Sequence, residues 1–297
     1  MDENLAFLAI LVVILFGFAF FANLSTSSGP LATPPNPDAE FGVVREQKSV
    51  FDVFEPPPPP PPTDDTTQTE DKTIESEKKE ERYKQYFSIS SANARSRNPD
   101  TEYIDIQYNP PENESVYISN WKIANKRGGS FRLGEVTNFP GTGTTPNSSP
   151  LIIPQGGIIH VITGRSPRGE NFRLNKCAEY FQEHNEYIPS LSVSCPPPAQ
   201  EPGQDGLNDE CFDYVQGLWS CRLAEPPPVG FGDRCAEYVR ETASYVGCVD
   251  NHRQDKDFFI NEWWVYLNRP EQMWSDVRET ITLSDERGIV IASESYD

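Results

Sequence analysis

The longest unbroken apolar stretch lies near the start of the chain. Leu5 to Ala22 reads LAFLAILVVILFGFAFFA, 18 residues with no charge and no strongly polar group. As a helix it would span roughly 27 Å, close to the hydrocarbon core of a bilayer at about 30 Å. The pattern predicts a transmembrane helix over 5–22, behind a short tail of residues 1–4. A cleaved signal peptide and a soluble buried helix are the alternatives. The first fits poorly: Met-Asp-Glu-Asn supplies two acids and no Lys or Arg, and Phe20-Phe21-Ala22 offers an aromatic where a cleavage site wants a small residue.

No apolar periodicity persists from Asn23 to Lys84. A short apolar island, with Phe41, Val43, Val44, Val50, Phe51, Val53 and Phe54, is too sparse to build a core and reads as linker or as a docking segment. Pro56 to Pro62 is a run of seven prolines. In polyproline II this makes a semi-rigid rod of roughly 22 Å. Asp64 to Arg82 is dense in mixed charge and suits a solvated face or a short exposed helix. Residues 23–84 are therefore expected to form a disordered, Pro-rich and charged stalk.

Beyond the stalk the period changes to two. Tyr103, Ile104, Ile106 and Tyr108, then Val116, Ile118 and Trp121, then Phe131 and Leu133 mark short strands. Leu151-Ile152-Ile153, Ile158 to Ile162, and Phe172 with Leu174 mark more. The pattern resumes with Trp263 to Leu267, Glu279 to Leu283 and Ile289 to Ala292, the last two joined by a turn in which Gly288 suits positive φ. Runs of this length with Gly, Pro and Asn between them predict a mainly β chain, an antiparallel β-sandwich built from 85–176 and 256–297.

Between those halves lie all six cysteines, at 177, 195, 211, 221, 235 and 248. An even number confined to one segment points to disulfides and to an oxidising compartment. Residues 177–255 also look like a threefold repeat. Cys177-Ala178-Glu179-Tyr180-Phe181, Cys211-Phe212-Asp213-Tyr214-Val215 and Cys235-Ala236-Glu237-Tyr238-Val239 share one pattern, and each unit closes at a second cysteine. Three copies of a small helical element are expected. The simplest pairing is within units, 177–195, 211–221 and 235–248, out of 15 possible connectivities. No Cys-x-x-Cys occurs and only three histidines exist, so no metal site and no cofactor is expected.

Composition narrows the function. The 297 residues carry a net charge of −20, from 45 acidic against 25 basic residues. Nucleic acid is excluded as a partner, because phosphate contacts need Lys or Arg. No Lys or Arg precedes the apolar helix, so charge does not set its orientation. The cysteines do, since disulfides need the outside. The expectation is a single-pass plasma-membrane protein with its C-terminal bulk extracytoplasmic.

The order of the β motifs resembles the lamin tail domain, an immunoglobulin-like sandwich. Its opening strand matches Glu102 to Asn109, and its strand ending in Ser-x-Trp matches Val116 to Trp121. Its strand, Pro-x-Gly-Gly and apolar strand match Ile152 to Ile162, and its closing hairpin matches Glu279 to Ile291. The acid usual after the last strand is replaced by Ala292-Ser293-Glu294. The resemblance covers about 85–176 and 256–297. It implies an accessory or interaction module with no catalytic residues, of the bacterial surface type rather than a lamin, whose long heptad rod is missing.

Nucleophile-elbow, P-loop and dinucleotide patterns are also missing, so no enzyme is expected. His160, inside an apolar strand, reads as packed. The candidate binding surface is Trp219, Trp264, Trp274 and His252, with Trp121 and one of Trp263 and Trp264 assigned to the core. Two functions follow: a displayed structural or protein-interaction module, or a module that binds cell-envelope carbohydrate through exposed aromatics.

Overall fold

The alternation in Tyr103–Tyr108 becomes strand β2, with Ile104, Ile106 and Tyr108 buried and the residues between them half-buried. The computed structural model describes residues 78–141 and 148–297. The expected anchor at 5–22 and most of the stalk lie outside these residues. Among the described residues no helix is long and apolar enough to cross a membrane.

A helix over 78–86 leads into β1 (Phe87–Ser90). The expected stalk boundary at 84 falls inside this helix, and its Tyr83 and Tyr86 pack on the β core. The Tyr83 ring lies 6.0 Å from Phe87 and 5.9 Å from Trp121, which fixes where ordered packing begins.

Eleven strands follow β2. They are β3 (Ser115–Tyr117), β4 (Lys122–Ala124), β5 (Ser130–Arg132), β6 (Val136–Thr137), β7 (Ser148–Ser149), β8 (Ile152–Pro154), β9 (Gly157–Ile162), β10 (Phe172–Asn175), β11 (Phe259–Tyr266), β12 (Glu279–Ser284) and β13 (Val290–Tyr296). They form a seven-stranded sheet, β1-β2-β9-β11-β10-β6-β7, a four-stranded sheet, β13-β12-β4-β5, and the pair β3-β8. The expectation of purely antiparallel pairing fails at two places. β9 runs parallel to β11, and β6 runs parallel to β10. Parallel neighbours need a crossover of a dozen or more residues. The stretch between Ile162 and Phe259 supplies one for β9 and β11.

One core draws on both larger sheets. Ile104, Ile106, Ile159, Val161, Trp263 and Val265 from the first meet Ile123, Ile281, Leu283 and Ile291 from the second. The other side of the seven-stranded sheet is covered too. There Ile162, Phe172, Leu174, Trp264 and Tyr266 pack against Tyr180, Phe181, Tyr187 and Tyr245 of the segment between β10 and β11. Trp263 and Trp264 point to opposite faces, and both are buried.

Two acids, Glu102 just before β2 and Glu279 at the start of β12, meet at one loop. Glu102 accepts hydrogen bonds from the backbone N–H groups of Met273 (2.7 Å) and Trp274 (3.2 Å). Glu279 accepts from the backbone of Ser275 (2.8 Å), Lys126 (2.7 Å) and Thr280 (2.9 Å). Both carboxylates are buried, so these donors replace water. Burial also raises the Glu102 pKa, against the pull of its hydrogen bonds. The turn before β13 closes as expected, with Gly288 at φ +86° and Asp285 accepting from the backbone of Arg287 and Ile289.

Between β10 and β11 three short α-helices stand out: α1 (Asp209–Gln216), α2 (Asp233–Thr242) and α3 (Tyr245–His252). Asn208 caps α1 by accepting from the Cys211 N–H, and Ser244 caps α3 by accepting from the Gly247 N–H. The threefold repeat is only partly realised. The first cysteines of units two and three sit alike, in the first turns of α1 and α2, whereas Cys177 precedes a 3-10 turn, Ala178–Glu183.

All six cysteines are paired, but every bridge joins different units: Cys177–Cys248, Cys195–Cys221 and Cys211–Cys235. The expected pairing within units is therefore wrong. Helix geometry gives the reason. A helix separates its ends by about 1.5 Å per residue, and bridged Cα atoms lie within about 7 Å. Cys211 starts α1 while Cys221 lies beyond its end, and Cys235 starts α2 while Cys248 lies in the next helix. The first turns of α1 and α2 instead come together, at 5.7 Å between Cα atoms. Cys177 and Cys248 close the base of the segment, where β10 and β11 already converge through the Lys176 N–H to Phe258 carbonyl bond.

Candidate functional site

The segment between β10 and β11 is locked to the sheet by a polar clasp built around His252. α3 ends at His252, which brings its ring over the loop at Glu201. The Nε2 atom lies 2.8 Å from a Glu201 carboxylate oxygen, and Nδ1 lies 2.8 Å from Asp255. Glu201 is only 3% exposed, and its second oxygen accepts from the Asn251 amide at 2.9 Å. Lys176, at the end of β10, donates to Asp255 at 3.0 Å and to Asp257 at 2.8 Å. The clasp thus ties the β10 end, the Glu201 loop and the α3 end together.

Its electrostatics follow from this geometry. Burial pulls the His252 pKa down, but hydrogen bonds to Asp255 and Glu201 outweigh it, so the net shift is upward. Lys176 behaves in the same way, with Asp257 and Asp255 overcoming desolvation. Hydrogen bonds from His252 and Lys176 lower the Asp255 carboxyl. Both His252 nitrogens face carboxylates, so the ring bridges two acids.

His160 forms a second cluster, on the sheet. β2 and β9 place Asp105 opposite His160, with the carboxylate 2.7 Å from Nδ1. Glu262 of β11 lies 3.5 Å from Nε2, and the Trp264 ring lies 4.4 Å away. Burial lowers this imidazole, and its hydrogen bonds to Asp105 and Glu262 more than reverse it. The two acids sit at opposite nitrogens of the ring, an arrangement that favours its protonated form.

Compared with protein-family models and with curated proteins, the chain has no match in either.

Of the four expected surface residues, two are corrected. Trp264 and Trp274 are fully buried. Trp264 is covered because the segment between β10 and β11 closes over its face of the sheet, and its Nε1 donates to the Pro189 carbonyl at 3.2 Å. Trp274 fills the core shared by the two larger sheets. His252 is drawn into the clasp. Trp219 stays at the surface, 80% exposed.

The cysteines, with one acid beside them, are the only described group with the proximity of a metal site: Glu179 lies near Cys195 and Cys221. Those two sulfurs are joined as a disulfide, and metal ligation needs thiolates. Sequence reasoning missed Glu201, whose burial gives no local signal. It also missed Phe212, Leu223 and Val229, which are exposed around Trp219's segment. The clue to Phe212 was its place in the repeat, where the other units carry alanine.

Proposed function

We propose that the chain is a single-pass membrane protein whose disulfide-linked β unit is held outside the cell on the Pro-rich stalk and works as a non-catalytic protein-interaction module. The β unit is lamin-tail-like, an immunoglobulin-type sandwich of the bacterial surface kind with a cysteine-bearing insertion over 177–255. In support, the four resembling motifs fall on β2, β3, β8 with β9, and β12 with β13. The seven-stranded mixed sheet and the insertion are departures from that pattern.

One observation carries the functional reading. Among the described residues, nine large apolar side chains are left exposed; five of them, Phe212, Trp219, Leu223, Val229 and Val246, lie on the disulfide-stapled segment, including the two most exposed, and the other four, Tyr117, Ile152, Val277 and Val290, lie on the β unit. An apolar surface held on a cross-linked scaffold suits recognition of another protein. Three disulfides support an oxidising location. Both histidine clusters are internally engaged, which supports structural rather than catalytic roles.

Of the three tryptophans on which a carbohydrate-binding reading rested, only Trp219 is exposed, because Trp264 and Trp274 are buried. The test is a pull-down with the full chain in nanodiscs, against purified cell-wall polymer and against surface-protein extract. Saturable retention of protein, lost on Trp219→Ala, is expected. Saturable retention of the polymer alone would overturn the proposal.

A further inference from the structure

We infer that the helical segment between β10 and β11, through its exposed Phe212, Trp219, Leu223 and Val229, docks a cationic polypeptide that carries apolar side chains. This rests on the interaction-module reading and adds the chemistry of the partner.

These four residues are held by one rigid piece. α1 carries Phe212, the turn after it carries Trp219, and the loop and 3-10 turn that follow carry Leu223 and Val229. The piece closes on a small core of Cys211, Val215, Cys235, Tyr238 and Val239. Tyr214 donates to the Glu225 carbonyl at 2.8 Å, and its ring meets Phe231 at 5.9 Å. Asn208 donates to the Phe231 carbonyl at 3.4 Å. Two disulfides, Cys195–Cys221 and Cys211–Cys235, fix the rest. Exposure is high at the tips: Trp219 80%, Val229 100%, Leu223 44% and Phe212 43%. A preordered apolar surface loses little conformational entropy on docking, and tryptophan is a frequent anchor of such contacts.

Charge selects the occupant. Residues 177–255 hold 14 Asp and Glu against 4 Lys and Arg, half of the net −20 of the whole chain. Asp209, Glu210, Asp213 and Glu225 are exposed next to the apolar tips in sequence, against the exposed Arg222, beside Leu223 and 3.7 Å from Glu183. An anionic bilayer surface is repelled by this rim. A second copy would bring the same acids face to face, which disfavours self-association. A polypeptide with Lys or Arg around apolar anchors matches both features.

The structure supplies its own reporter. Of the five tryptophans, Trp121, Trp263, Trp264 and Trp274 are at most 4% exposed, so collisional quenching reads Trp219. The full chain in neutral-lipid nanodiscs is titrated with three helical peptides of about 18 residues that share one apolar stripe. Their polar positions are Lys, Gln or Glu, and a fourth peptide has Lys but no stripe. The Lys peptide with the stripe is expected to shield the exposed tryptophan from acrylamide. It should bind at least about tenfold tighter than the Gln peptide, weaken as salt rises from about 50 to about 300 mM, and lose about tenfold on Trp219→Ala. The last is read from a labelled peptide, with the fold checked by circular dichroism.

Equal shielding by all three striped peptides would overturn the cationic partner while leaving an interaction surface in place. Equal binding by the stripeless peptide, or shielding by none, would overturn docking at this face. Shielding that grows with protein concentration alone would assign the face to a second copy, and shielding by anionic vesicles would assign it to lipid; either overturns the inference.

Discussion

Removing Cys177 and Cys248 together separates the observed connectivity from its rivals. In the structure these two are partners across 71 residues of sequence. The double substitution Cys177→Ala with Cys248→Ala then deletes one bridge and leaves Cys195–Cys221 and Cys211–Cys235 intact. In the chain-entropy account, a loop of that length contributes about 4.4 kcal/mol. The two inner bridges already shorten the unfolded loop, which brings the contribution to about 4 kcal/mol. Loss of that much is a large part of the stability of an ordinary domain. The contrasting variant is Cys177→Ala with Cys195→Ala. It deletes two bridges and strands Cys248 and Cys221 as thiols. Thiol titration in denaturant should read none for the first variant and two for the second. Urea unfolding, followed by tryptophan fluorescence, should show the second as less stable than the first. Pairing within units would reverse both results, with two thiols in the first variant and none in the second, and would refute the reasoning.

Further outcomes follow from the buried polar groups. The folded His160 pKa is raised, so its contribution is fully present below the unfolded imidazole value of about 6.5 and is lost as pH rises through the folded value. Urea unfolding should therefore show the stability gap between wild type and His160→Gln narrowing as pH rises above about 6.5; a gap that widens would contradict the pairing of His160 with Asp105 and Glu262. Glu279→Ala leaves three buried or half-buried backbone N–H groups without their acceptor and should cost about 3 kcal/mol in the same assay. Glu102→Gln should cost less, since burial already disfavours the charged form there. Intact cells treated with an impermeant maleimide should label no cysteine before reduction and six after it.

The β elements were legible because alternation is local. Glu102 to Asn109 and Glu279 to Ala292 carry their period in plain view, and both became strands. Strand order is not local, so the parallel pairing of β9 with β11 left no mark on either run. The same limit explains Trp264. Strand period shows that it opposes Trp263, but only the tertiary cover from Phe181 and Tyr187 shows that both faces are dry. Trp274 lies in a loop with no period at all, and it is the Glu102 carboxylate that turns its backbone into the core. The cysteine count revealed the disulfide chemistry. Connectivity was hidden because it depends on which helix starts face one another, as those of α1 and α2 do. The Glu201–His252 contact spans 51 positions and could not be read from either neighbourhood.

A photo-crosslinking residue placed at Trp219 in intact cells tests the account most directly, with Val277, also exposed but on the β unit, as its control. The account predicts a discrete protein adduct at position 219, removed by protease added outside the cells, and no such adduct at 277. The same adducts at both positions, adducts with glycan alone, or adducts that external protease cannot reach would contradict it.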